Sequence, residues 1–472
     1  MVPADPGGGV MRMDLLTDDV AGLDAALAAV DAFDRVLVDG LLRPGSAQAG
    51  GLTELARAVS GSPLAARVAH AAEKTAGGGG GEDDFVALAA ARSALLGAVH
   101  DALLERVGAA TGREPAAAGF PAPGATGGAN VLAAARSWLA DLARTGWRGL
   151  DHEGVSAAAP VVSALLADPA LRRLAALLDG FAAELAASCP GASVEQFPVR
   201  RWADLWTKGL LLTVPGAAAE AGAEPVTGRL LPLGVDLQEH ATAVQAQVHA
   251  VFEPADGSPS RIVRASVSAP KPDTVVGAGL WQLLRPHMSL LAAAGEGRAM
   301  ELTGMPLTAE GDLLWADVHA KPGEPADALT TARVALPAAT GPQTAPLDRH
   351  PARLAVPVFL EGYGTGTDGD AVTFEVAGQR LGVDVDRIPA AGPLTPRAVA
   401  ASRACIGLLR WDAGEFRLQP LAVETLVRKK PVGVHAGAWA GGTTDKAGAK
   451  AEKAATDAAT VLRERAGRLL RT

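Results

Sequence analysis

Apolar positions recur at steps of three and four along roughly the first 190 residues, the period of helices packed on one side. Val20, Leu23, Leu27, Val30, Phe33 and Leu37 form one such stripe, which Thr17 caps and Gly40 with Arg43-Pro44-Gly45 closes. A second helical stretch runs from Leu52 to about Lys74, broken near Gly61-Ser62-Pro63. Gly77 to Gly81 is expected to be a flexible spacer. Asp83 and Asp84 then open a helix whose apolar face carries Phe85, Leu88, Leu95, Val99, Leu103 and Val107. Pro115 to Gly128 is a second Gly/Pro-rich linker. Helical periods resume over Asn130–Arg144, Val155–Leu166 and Asp168–Ser188.

The rhythm changes after Pro190. A helix over Arg200–Leu212 places Trp202 and Trp206 on one face, and beyond Thr227 the period drops to two. Val244, Ala246, Val248, Ala250 and Phe252 alternate with Gln245, Gln247 and His249. After a turn at Asp256-Gly257, Val263, Ala265 and Val267 alternate with Arg264, Ser266 and Ser268, which reads as a hairpin with one wet face. Further strand pairs are expected at Ala299–Thr303 with Leu313–His319, at Leu354–Glu361, Val372–Val376 and Leu381–Asp386, and at Ile406–Trp411 with Glu415–Val423. A helix from Thr395-Pro396 to about Cys405 interrupts them. Short connections make most pairs antiparallel.

The pattern predicts a multidomain α+β protein, an all-α N-terminal helical bundle followed by a mostly antiparallel β-rich half that ends in a long helix. The expected division is a disordered lead over 1–16 and a helical domain over 17–190 with linkers at 75–82 and 115–129. An α+β domain over 195–430 follows, with a second boundary near 341, then a basic amphipathic helix over 443–472. Met11 and Met13 stand as alternative starts to Met1.

Composition narrows the function classes. A net charge of −9 argues against a chain-wide footprint for nucleic acid, and Ala/Gly/Arg-rich usage points to a bacterial source. Cys189 and Cys405 sit in no CxxC pair and next to no metal-spaced histidine, so they read as two free buried thiols. The first residues have no basic stretch leading into an apolar one, and no uncharged apolar run of about 20 residues occurs, so the expected location is cytoplasmic, with no membrane span.

Candidate chemistry is sparse. Gly364-Thr-Gly366-Thr-Asp-Gly369 matches the GxGxxG string, but the alternation of Val372, Phe374 and Val376 makes the next element a strand, so the glycines read as a hairpin loop. Asp317 and His319, on one face of an expected strand, could orient a base or supply half of a metal site. Asp368 sits in an acidic stretch with Glu361, Asp370, Glu375, Asp384 and Asp386, which fits a solvated sheet face, with divalent-cation binding as the second reading. His240 and His249 lie nine apart near one strand, on opposite faces. No cofactor or metal ligand set emerges.

Two stretches suit a partner. Trp202 and Trp206, beside Arg200, Arg201 and Lys208, would form an aromatic-basic face if they were not core anchors. The tail, with Arg463, Arg465 and Arg468 among seven basic residues against four acidic ones after Thr444, suits a docking helix. The expected role is therefore a non-catalytic bacterial interaction, adaptor or regulatory protein, a subunit of a cytoplasmic complex with protein partners. The alternative is an enzyme with a polar site in the β-rich half, where Asp317, His319 and Asp368 are the weak candidates.

Overall fold

A computed structural model describes residues 11–113, 128–217, 222–240, 242–272, 275–369, 371–443 and 446–469. Helices fill the N-terminal half: α1 (Met13–Thr17), α2 (Leu23–Asp39), α3 (Ser46–Ala58), α4 (Ala65–Ala76), α5 (Glu82–Thr111), α6 (Ala129–Thr145), α7 (His152–Ser156), α8 (Ala158–Leu166), α9 (Arg172–Ala187) and α10 (Val199–Leu212). Phe33, Leu37, Leu52, Leu88, Phe181, Trp202 and Trp206 fill their common core. Trp206 is fully buried and donates its Nε1–H to the Leu139 carbonyl at 2.8 Å. Trp147 meets Trp202 edge-on at 5.7 Å.

The C-terminal half holds two sheets. The first comprises β1 (Ala223–Glu239), β2 (Ala243–Pro254), β3 (Arg261–Pro270), β4 (Arg298–Thr308), β5 (Asp312–Leu313) and β6 (Ala320–Pro325). Its order is β1-β2-β3-β5-β4-β6, and β1 also pairs with β4, so five strands close on themselves as a small barrel. Val244, Val248, Phe252, Val263 and Val267 point inward, where α11 (Leu280–Leu283) and α12 (Met288–Glu296) plug the barrel with Trp281 and Leu290.

The second sheet comprises β7 (Val356–Glu361), β8 (Gly364–Asp368), β9 (Ala371–Val376), β10 (Gln379–Val383), β11 (Ser402–Asp412), β12 (Glu415–Val427) and β13 (Lys430–His435). It runs β7-β11-β12-β10-β9-β8, with β13 added on β12. Pairing is antiparallel except β3–β5 and β10–β12. The barrel packs on this sheet through Leu231, Leu233, Val251, Ile406 and Ala422, with Leu329 and Ala332 of α13 (Ala328–Val334) alongside. Gly234 permits the approach, because a Cβ there would lie 2.8 Å from that of Leu421.

Helix α5 ties the halves together. Its 30 residues are long and apolar enough to cross a membrane, but most are buried within this fold. Phe85, Leu88 and Leu95 belong to the helical core, whereas Val99, Leu103 and Val107 pack with Val358, Leu360, Phe374 and Val423 of the second sheet. The apolar face read as one stripe thus serves two cores.

Several expectations need correction. Residues 11–16 are no disordered lead: Met13 and Leu16 are buried against α5 and the second sheet, and Thr17 ends a helix instead of capping the next. Gly77–Gly81 forms a defined turn, exposed at Gly77–Gly79 and packed at Gly80, where a Cβ would stand 2.8 Å from the Thr75 hydroxyl. Most of the 115–129 linker lies outside the described residues. The strand expected over Leu313–His319 stops after Leu313, and Asp317–His319 form a single 3-10 turn. The helix after Thr395 is α14 (Pro396–Ala400), so Cys405 lies on β11, while Cys189 is only half-buried. The long terminal helix over 443–472 is not borne out in that form. An α15 (Lys446–Leu469) occurs, held to Gln282 by the carbonyl of Glu452 and the hydroxyl of Thr456.

The β12–β13 hairpin carries local strain. Arg428 and Lys429 form its two-residue turn with φ of 50° and 65°, a conformation that favours Asn-Gly. The double substitution Arg428→Asn/Lys429→Gly is expected to raise stability by about 1 kcal/mol. A urea midpoint unchanged or lowered by the pair would show the turn to be relaxed.

Candidate functional site

The end of α5, the outer face of the barrel, the second sheet and the connector from Gly341 to Pro357 line a cavity of about 1040 Å³ that is partly open to solvent. Strand register builds its floor. Alternation turns Val248 and Val263 into the barrel and so turns Gln247, His249, Arg264 and Ser266 out, towards the cavity. Asp236 of β1 lies opposite Gln247, and His249 lies between Gly234 and Arg264. Arg264 in turn stands beside Asp312 across the parallel β3–β5 pair. Polar side chains therefore run in rows across neighbouring strands.

Ion pairs organise these rows. Asp236, 3% exposed, accepts hydrogen bonds from Gln419 Nε2 at 2.8 Å, Gln238 Nε2 at 2.9 Å and Arg410 Nη2 at 3.1 Å. Arg410 Nε donates to Gln419 Oε1 at 2.5 Å, which closes a network between the barrel and the second sheet. Burial pushes the Arg410 guanidinium down from its ordinary range, against the pull of Asp236. Arg264 grips Asp312 with Nε and Nη2 at 2.5 and 2.8 Å. Burial opposes charge on Arg264, but Asp312 outweighs it and the guanidinium is held above its usual value. On the connector, Asp348 takes Lys208 at 2.5 Å, Arg353 at 2.6 Å and Arg173 at 3.1 Å. Those cations overcome the effect of burial and hold its carboxyl below the usual range.

Two lining groups retain unmatched polar atoms. His249 is 3% exposed, and its Nε2 has no hydrogen-bond partner. Burial lowers its pKa to about 4, opposed by nearby Asp236 and assisted by Arg264 and Arg410. Arg113, just past the end of α5, has a buried Nη1 without a partner. His100, at the helical wall, shares Nδ1 with Asp101 at 3.1 Å and is also depressed by burial.

No protein family, curated protein or solved structure matches this chain.

The sequence-based candidates lie elsewhere. Trp202 and Trp206 are core anchors, and their neighbours are engaged: Arg200 with Asp31 and Asp34, Arg201 with Glu184, Lys208 with Asp348. Asp317 is exposed, accepting from Trp315 Nε1 at 2.8 Å and from Ser289, while His319 Nδ1 lies 2.9 Å from the Thr303 carbonyl. The 3-10 turn removes the shared strand face that would have paired them, and neither lines the cavity. Asp368 ends β8, where Gly364–Asp368 pair with β9 as a hairpin, and its side chain lies outside the described set. The side chains of Arg463, Arg465 and Arg468 on α15 lie outside it too. Within the acidic stretch, Glu361 pairs with Arg333, and Asp384 pairs with Arg417 and Arg387. Among the described residues no three His, Cys, Asp or Glu side chains could hold a metal ion.

Sequence reasoning missed Asp236, Arg410, Gln419 and Asp312, and took His249 and Arg264 for a solvated face. A signal was present. Asp236 stands alone in the apolar run LLPLGVDL, and Arg410 follows IGLL. A lone charge inside an apolar strand has to find a counter-charge, and these two found each other.

Proposed function

We propose that this chain is a non-catalytic binding protein, an adaptor or regulatory subunit of a bacterial cytoplasmic complex, whose ligand occupies the cavity. The observation that carries this reading is the cavity itself. It is walled by the helical half, the barrel and the second sheet together, and its volume suits a small molecule or a short peptide segment. A ligand there would touch all three units and fix their relative positions, which is how an adaptor can report occupancy to a partner.

Binding is favoured over catalysis by the state of the lining groups. Asp236, Asp312 and Asp348 each face at least one arginine, so their charges serve recognition and rigidity. His249, with a pKa of about 4, is a weak base at neutral pH. The free cysteines Cys189 and Cys405 support a reducing compartment, and burial raises both thiols. Helix α15, which carries Arg463, Arg465 and Arg468, is the element proposed to dock a partner protein.

Gln247→Trp, on the cavity floor, tests the reading by filling the space with an indole. Protein purified from its host should release a small molecule or peptide on denaturation, detectable by mass spectrometry, and the Trp variant should release none while keeping its circular dichroism spectrum. Empty wild-type protein, or equal release from both, would refute the binding role.

A further inference from the structure

Arg113 differs from the other arginines that line the cavity. Arg264, Arg353, Arg387 and Arg410 each contact a carboxylate, of Asp312, Asp348, Asp384 and Asp236 respectively. Arg113 contacts none among the described residues. Gly112 ends α5 in the left-handed region at φ 68°, and the chain doubles back so that the Arg113 amide donates to the Gly108 carbonyl at 3.1 Å. The side chain then reaches β7. Nη2 donates to the Pro357 carbonyl at 2.8 Å and Nε to the Thr111 hydroxyl at 3.3 Å. Nη1 and its two N–H groups are buried without an acceptor.

We infer that Arg113 holds the anionic group, a carboxylate or a phosphate, of a ligand in this cavity. The inference rests on the reading of the cavity as a binding site and names the chemistry of what enters. A guanidinium keeps its proton at physiological pH wherever it is placed. Burial lowers Arg113 to about 10, still far above neutrality, so the positive charge persists. A buried cation facing only two neutral acceptors is stabilised by an oxyanion that brings both charge and lone pairs. The planar fork of arginine matches the paired oxygens of carboxylate and phosphate, which a point charge would not. His249 Nε2, unmatched on the barrel side of the same cavity, adds a place for a polar group on the ligand body.

A purely structural role for Arg113 is the competing account, with the side chain acting as a strut between α5 and β7. The two differ in what an anion does. Thermal unfolding of the full chain is followed in inorganic phosphate and separately in acetate, at constant ionic strength set with chloride. We expect saturable stabilisation by at least one of them, and the anion that saturates at the lower concentration identifies the source. Arg113→Met should weaken that midpoint by roughly tenfold or more, and Arg113→Lys by less, because charge survives while the fork is lost. Gln247→Trp should reduce the response as well.

Unchanged anion midpoints in Arg113→Met, even with a lowered melting temperature, would assign Arg113 to the strut and overturn the inference. Absence of any anion response in the wild type up to tens of millimolar would overturn it equally. Recovery of an uncharged ligand bound alike by wild type and Arg113→Met would leave the cavity a binding site while removing the anion. Failure to recover any ligand, together with no anion response, would remove both.

Discussion

Arg92→Met should cost about 3–5 kcal/mol of stability, the penalty for leaving buried carboxylates without their cation. Arg92 is 1% exposed in the middle of α5. It donates Nε and Nη2 to Asp34 of α2 at 2.6 and 3.0 Å, and Nη2 also approaches Asp204 of α10 at 2.7 Å. Arg200 reaches Asp34 at 3.3 Å from the other side, and His350 of the connector lies 3.3 Å from Asp204. Burial pushes the Asp34 carboxyl up, so Arg92 is the main force holding it ionised, and Asp34 in turn helps to raise Arg92. A methionine fills similar space and supplies no charge. Urea unfolding followed by tryptophan fluorescence reads the change. The companion variant Arg92→Met/Asp34→Leu removes both partners and should recover much of the loss. A single variant that shifts stability by less than about 1 kcal/mol would mean that Arg200 alone satisfies Asp34.

Acidification should destabilise the protein through His249, with the loss spread between pH 6.5 and about 4. The folded-state pKa is depressed, so across that window the unfolded chain binds a proton that the folded chain refuses. Stability is therefore complete above 6.5 and falls as pH drops towards 4. The depression from 6.5 to about 4 corresponds to about 3 kcal/mol. His100 and His435, both depressed by burial, act in the same direction. The carboxylates held low, such as Asp348 and Asp204, lose their contribution only at more acidic pH, which keeps the two effects separate. His249→Gln should flatten the slope of stability against pH in this interval while the wild type retains it. Parallel slopes for the two proteins would place the acid sensitivity elsewhere.

Sequence periodicity carried far where one face of an element meets one core. Helices α6, α9 and α10 begin and end within a few residues of their expected bounds, and the β2–β3 hairpin turns at Asp256-Gly257 as its alternation implied. It carried less where an element serves two neighbours. In α5, the regular spacing of Leu88, Leu95, Val99 and Leu103 could not reveal that Leu95 and Val99 belong to different cores. Alternation in β2 correctly grouped Gln245, Gln247 and His249 on one face, yet it says nothing of what lies over that face. The cover comes from His100 and Val107 of a distant helix, from Arg113 just past its end, and from the Gly341–Pro357 connector. Asp236 and Arg410, which are 174 positions apart, become partners only because Gly234 lets β1 settle against β12. The strand face expected to pair Asp317 with His319 is absent for a local reason, since the strand has already ended and Trp315 and Ser289 bind Asp317.

Because α5 contributes to two cores, neither half can be cut away cleanly. A fragment that ends near residue 215 would keep the helical bundle but leave Val99, Leu103 and Val107 facing water, and would also strip the apolar cover from β7 and β9 in the remainder. Recombinant pieces split at that boundary should aggregate or stay protease-sensitive, whereas mixing them should restore resistance. Transplanting either half as an independent cassette would require rebuilding the shared helix.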